Sequence, residues 1–132
     1  MYTGIVRAVN RQELPKLSET ALKSFFKLAD LWGLEDRDKR VLLGNPSEER
    51  FDQWNSGDYS EPASSEAPER ISHLLGIHAS LKSLFRTQTA YTWIQKPNTA
   101  DFLNGESALS HMLKGGIQPL RDVHHFLESH CS

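Results

Sequence analysis

The strongest constraint in this chain is the spacing of its apolar residues. From Leu22 onward they return every three or four positions, the period of an amphipathic helix, and no strand-length run with a period of two appears. Glycine, proline or serine cuts each run long before it reaches the length of a membrane span. The expectation is an all-α fold.

Along the chain, Leu22, Phe25, Phe26, Ala29 and Trp32 form a first stripe, with Ser18 as its N-cap and Gly33 as its left-handed stop. Residues 1–16 read as an arm leading into it. Asp36 is positioned to cap a short second helix whose Val41, Leu42 and Leu43 turn inward before Gly44. Asn45-Pro46 then makes a turn, because the residue before proline is pushed out of the helical region. Ser47 caps a third helix that carries Phe51 and Trp54 and ends at Gly57. Two helices joined by a turn of about 3–4 residues containing glycine are the mark of a helix-turn-helix. The stretch 58–68 is poor in apolar residues, contains two prolines and reads as a linker.

Beyond it the helical pattern resumes. Ile71, Leu74, Leu75, His78, Leu81 and Phe85 share one face, with Gly76 as a bend. Ala90, Trp93 and Ile94 mark a short helix. The segment 98–106 is a loop turning at Asn104-Gly105 and anchored by Phe102. Ser107 caps a helix with Leu109, Met112 and Leu113, which Gly115-Gly116 ends. A last helix carries Ile117, Leu120, Val123, Phe126 and Leu127, with Pro119 in its first turn. The organisation is thus an N-terminal half (1–57), a linker (58–68) and a C-terminal half (69–132).

Charge and cysteine usage narrow the functional classes. The formal net charge is -2, so no global field draws the chain to nucleic acid or an anionic membrane. The single cysteine, Cys131, cannot form an internal disulfide, and Gly4-Ile5-Val6 is broken by Arg7 before it becomes a signal-peptide core. A reducing cytoplasm is the expected setting. No glycine-rich phosphate cradle, spaced acid–base pair or nucleophile elbow is present, so neither catalysis nor a cofactor is expected.

Two sets of residues carry candidate function. On the third helix Ser47, Arg50, Gln53 and Asn55 face outward, with Arg suited to guanine edges and Gln or Asn to adenine. Lys39 and Arg40 on the second helix, or Lys23 and Lys27 on the first, are the candidates for phosphate contacts. Glu48 and Glu49 oppose that use while suiting a helix N-terminus. The residue types leave two readings open: DNA recognition, or a helical pair that only supports dimerisation. The second set is the C-terminal tail, HHFLESHCS, with His125, Glu128, His130, Cys131 and Ser132 as a flexible, polar end. Adjacent His124 and His125 point to different sides of a helix, and the spacing of a zinc site is missing, so no metal is expected there.

From Glu69 the chain resembles a known family. Arg70-Ile71, Leu74-Leu75-Gly76-Ile77, Trp93 followed by Pro97-Asn98, Phe102, Asn104-Gly105, Ser107, Leu109, Met112-Leu113 and Gly115 follow the C-terminal domain of MbcA/ParS/Xre-type antitoxins. The preceding SFFKLADLWGLEDRDKRVLLG looks like the Xre-type helical half found before that domain. One departure is Ala108, where the family often has proline. The resemblance implies an antitoxin that dimerises, covers a RES-domain toxin that destroys NAD, and reaches the toxin's cleft with its C-terminal tail. Repression of its own operon through operator DNA is implied as well. The alternative is a stand-alone helix-turn-helix regulator with no toxin partner.

Overall fold

A computed structural model describes residues 14–60, 66–85, 92–97 and 100–131, the side chains of 14–17, 101 and 131 excepted. These residues are helical and include no strand: α1 Leu14–Trp32, α2 Asp36–Leu42, α3 Glu48–Asn55, α4 Glu66–Leu84, a 3-10 turn Asp101–Leu103, α5 Ala108–Met112 and α6 Gln118–Cys131. The all-α expectation is met. None of these helices is long and apolar enough to cross a membrane.

α1 starts earlier than its serine suggested. Ser18 is not a cap: it lies inside the helix and is buried at 1% exposure, while Leu14 to Lys16 belong to the first turn. Proline at position 15 is accommodated there because first-turn N–H groups have no helical partner. At the other end Gly33 takes φ +69°, and the N–H of Leu34 reaches back to the Ala29 carbonyl at 3.0 Å, a Schellman closure. Glu35, not Asp36, holds the N-cap position of α2, without a side-chain hydrogen bond.

The turn between α2 and α3 has the geometry its sequence implies. Gly44 lies at φ +94°, and Asn45 follows at +59°, a left-handed conformation that asparagine tolerates. Ser47 Oγ accepts the N–H of Arg50 at 3.1 Å and caps α3. Phe51 and Trp54 turn inward, and the Phe51 ring packs on Phe26 of α1 at 6.0 Å between centroids.

α4 organises the molecule. It packs most extensively against α6 and next against α1. Ile71, Leu74, Ile77 and Leu81 are buried at 0–1% exposure, and Arg70, Ser72 and Ser80 are buried with them. A single apolar face was expected; burial on several sides is what a central helix shows. Leu22, Phe25 and Trp32 of α1, Leu42, Trp54, Met112, Leu120 and Val123 join the same core. The two halves therefore share one interior. The linker is also shorter than its composition implied, since Glu66, Ala67 and Pro68 already form the first turn of α4 and the last two are buried.

The loop before α5 turns at Asn104 (φ +51°) and Gly105 (φ +85°). It is pinned by a bridge between Pro97 and Ser107, and by the Leu109 N–H donating to the Ile94 carbonyl at 2.9 Å. Ser107 Oγ caps α5 by accepting the Ser110 N–H at 3.0 Å. Thr92 and Trp93 are helical and Ile94 is fully buried, whereas Ala90 lies outside the described residues.

Candidate functional site

The outer face of α3 carries more acidic than basic side chains. Lys39 is turned inward at 8% exposure, where its ammonium meets Asp36 at 3.4 Å and Asp30 at 3.5 Å. Arg40 donates through Nε to the Pro46 carbonyl at 2.7 Å and braces the turn. Lys39 is thus engaged by two carboxylates and Arg40 by the turn, while Arg37 of the same helix stays 83% exposed beside Glu35. Ser47 uses its hydroxyl as the cap. Gln53 directs its amide to Asp58 at 3.4 Å, and the Asp58 carboxyl is held below its ordinary range by the Ser60 hydroxyl, then by the Ser60 N–H. Asn55 is exposed and Arg50 half-exposed, with Glu48, Glu49 and Asp52 exposed beside them. Lys23 and Lys27 remain exposed on α1. The α3 face is acidic.

The C-terminal segment is helix rather than a free plug, because α6 continues to Cys131. His125 is exposed. Glu128 pairs with His124 Nε2 at 3.1 Å. The His130 ring donates from Nδ1 to the Phe126 carbonyl at 2.8 Å and lies 4.5 Å from the Phe126 ring. The side chain of Cys131, and Ser132 altogether, lie outside the described residues. Beside this helix end an open groove of about 350 Å³ is lined by Leu84, Phe85, Trp93, Phe126, Leu127 and His130. Phe85 and Trp93 stack across it at 6.4 Å and 26°. The groove is apolar with one polar edge, the character of a protein-docking pocket more than of a catalytic cleft.

Three links behind these surfaces join residues far apart in sequence. Arg70 is buried at 7% exposure. Its guanidinium bonds Glu66 at 2.8 and 3.2 Å and the Gly116 carbonyl at 3.4 Å, and it lies against Gly44. His111 meets Asp122 at 3.2 Å, which places its proton on Nε2 since a carboxylate only accepts. His73 and His124 face each other with Nδ1 atoms 2.8 Å apart. The paired tail histidines looked like surface residues in sequence, but His124 is largely buried against α4. Gly76 is correspondingly a site of close approach to the His124 ring and not a bend. Only its place at i+3 from a histidine on a helix hinted at this.

No family model and no solved structure matches the chain. Uncharacterized protein y4oB of Sinorhizobium fredii is 38% identical over 109 residues, which cover 82% of this chain and 81% of that protein. Identity of that extent over most of both chains places this chain in the same family as y4oB.

Proposed function

We propose that this chain is an antitoxin that neutralises a RES-domain, NAD-degrading toxin by covering the toxin's active-site entrance, acting in the cytoplasm as a homodimer. The observation that carries the reading is the open groove around Trp93 with the last two turns of α6 along its rim, within the half that resembles the antitoxin domain. Occlusion needs a docking surface and no catalytic group. The resemblance motifs have structural work consistent with it: Ile71, Leu74 and Ile77 fill the core beneath the groove's half, Gly76 admits His124, and Ser107 caps α5. His125 and Glu128 on the exposed side of α6 are the contacts proposed for the toxin, with His130 at the groove's edge.

The alternative, a stand-alone helix-turn-helix regulator, has the right helical pair. It lacks support from Lys39 and Arg40, which are occupied internally, and its α3 face carries Glu48, Glu49 and Asp52. Autorepression is accordingly the weaker part of the reading.

The test is co-expression with the product of the neighbouring gene, which this reading requires to be a RES-domain protein, with cellular NAD measured. NAD holds with the full chain and with the pair Arg50→Ala and Gln53→Ala, and falls with Trp93→Asp or His125→Asp. Removing everything after Phe126 is a poor probe because it deletes Leu127, which is 2% exposed in the core. If NAD falls despite the full chain, the antitoxin reading is withdrawn. DNA binding that weakens steeply with salt then supports the regulator.

A further inference from the structure

α4 and α6 meet through two imidazoles. The Nδ1 atoms of His73 and His124 are 2.8 Å apart, and the rings cross nearly edge to face, 5.1 Å between centroids and 72° between planes. Two nitrogens at that distance have room for one hydrogen. Its owner follows from the neighbours. His124 Nε2 lies 3.1 Å from Glu128 Oε2, and a carboxylate only accepts, so neutral His124 carries its proton on Nε2 and offers a bare Nδ1. His73 is then the donor, protonated on Nδ1. Gly76 fixes the His124 ring from below: a Cβ there would lie 2.6 Å from Cε1.

Protons added from solvent find two unequal places. The first is accommodated. His124 becomes an imidazolium that donates from both nitrogens, to Glu128 and to His73, and His73 moves its own proton to Nε2. The second has no place, because both Nδ1 atoms would then carry hydrogens aimed at each other. We propose that His73 and His124 form an acid-operated latch between α4 and α6, closed by one N–H···N bond and opened when both imidazoles are protonated. The inference stands independently of the toxin reading.

The surrounding charges fit such a device. Glu69 on α4 and Arg121 on α6 act on His73 with opposite sign and are paired with each other at 3.1 Å. Glu128 favours the first proton, and His125 opposes it. Of the other elements packed on these helices, α5 supplies His111, which pairs with Asp122, and α1 supplies Trp32, which bonds His78 on α4 near Lys82. Burial, then the charge of His124, holds His73 below the ordinary histidine range; burial holds His124 below it against the pull of Glu128. The folded chain thus takes up these protons later than the unfolded chain. The stability the latch contributes is complete above about pH 6.5 and is lost as pH falls through the lowered folded-state values. Among the described residues no three histidine, cysteine or acidic side chains converge as a metal site would require.

The test uses the full chain and His73→Gln, whose amide still donates to His124 Nδ1 but does not titrate. Urea unfolding is followed from about pH 7.5 to about pH 5; each proton bound in excess by the unfolded state changes the equilibrium about tenfold per pH unit. The wild type is expected to lose stability more steeply than His73→Gln by up to that factor, with His78 common to both. Imidazole nitrogen NMR at neutral pH is expected to place the proton of His73 on Nδ1 and that of His124 on Nε2. Equal slopes, or a His73 proton on Nε2, overturn the proposal. If His73→Gln does not fold, wild-type hydrogen exchange decides: α6 amides must lose protection as the second imidazole charges, and unchanged protection overturns it.

Discussion

The indole N–H of Trp32 donates to Nδ1 of His78 across 3.3 Å, tying the end of α1 to the middle of α4 over 46 positions of sequence. The Gln95 amide donates to the Trp32 carbonyl at 2.7 Å, so one residue joins the N-terminal half, the central helix and the segment before the loop. This explains why the two halves have no separate cores. α2 and α3 are only 7 and 8 residues long, and Phe51 of α3 packs on Phe26 of α1.

The Trp32–His78 bond makes a pH prediction. Burial, and after it the Lys82 charge, holds His78 below its ordinary range, and only neutral Nδ1 can accept the indole proton. Stability from this bond is therefore present above about pH 6.5 and declines as pH falls through the lowered folded-state value. Trp32→Phe should cost about 1–3 kcal/mol at neutral pH, from the lost bond and the smaller ring. It should flatten the pH dependence only in part, because the burial that lowers His78 most remains when the indole N–H is gone. Urea midpoints of both proteins across that range check both parts.

Arg70 offers a test of which contacts matter. Its guanidinium is nearly enclosed, but the Glu66 side chain is 61% exposed, so the ion pair is screened by water. Glu66→Gln should cost less than about 1 kcal/mol. Arg70→Ala should cost about 2–3 kcal/mol, since it empties the space beside Gly44 and removes the link to the Gly116 carbonyl. Gly44→Ala should approach that loss, because φ is +94° and the new Cβ would meet Arg70 Nε at 3.0 Å. Denaturant unfolding of the three variants ranks them, and a Glu66→Gln loss as large as that of Arg70→Ala would contradict the argument.

Ser47 and Ser107 each satisfy an N–H that no helical carbonyl reaches. Ser47→Ala and Ser107→Ala should each cost about 1 kcal/mol, within a range of about 0.5–2 kcal/mol. Ser18→Ala should show no capping loss, since α1 begins upstream at Leu14. Thermal unfolding monitored by circular dichroism separates the three.

Much of this frame was legible locally. Gly33 and Gly44 end helices where the apolar period stops, Ser47 and Ser107 cap where they precede new stripes, and Asn104-Gly105 turns the loop. What was not legible depends on partners distant in sequence. Lys39 has the composition of a surface cation, and only its ion pairs with Asp30 and Asp36 show why it lies inward. The stretch ending in Ala67-Pro68 looks like linker because proline is read as a breaker, yet in a first turn it is tolerated. His73 and His124 are 51 positions apart, and no local pattern makes a pair of them.

Gly76 gives the sharpest prediction because its two effects have opposite remedies. Alanine is the better helix former by about 1 kcal/mol, so Gly76→Ala on an open helix face would stabilise. Here the added methyl collides with the His124 ring, which is already held by His73 and Glu128 and cannot swing away without breaking both contacts. The net effect should be a loss of about 1–3 kcal/mol, as for other overpacked interiors. His124→Ala alone should also destabilise, by leaving space and an unpaired His73 Nδ1. The double variant should be more stable than the sum of the two single losses, because its methyl occupies space the ring has vacated, with a coupling above about 0.5 kcal/mol. A double-mutant cycle by urea unfolding measures that coupling. Strict additivity would mean that α4 and α6 do not meet at this pair of residues.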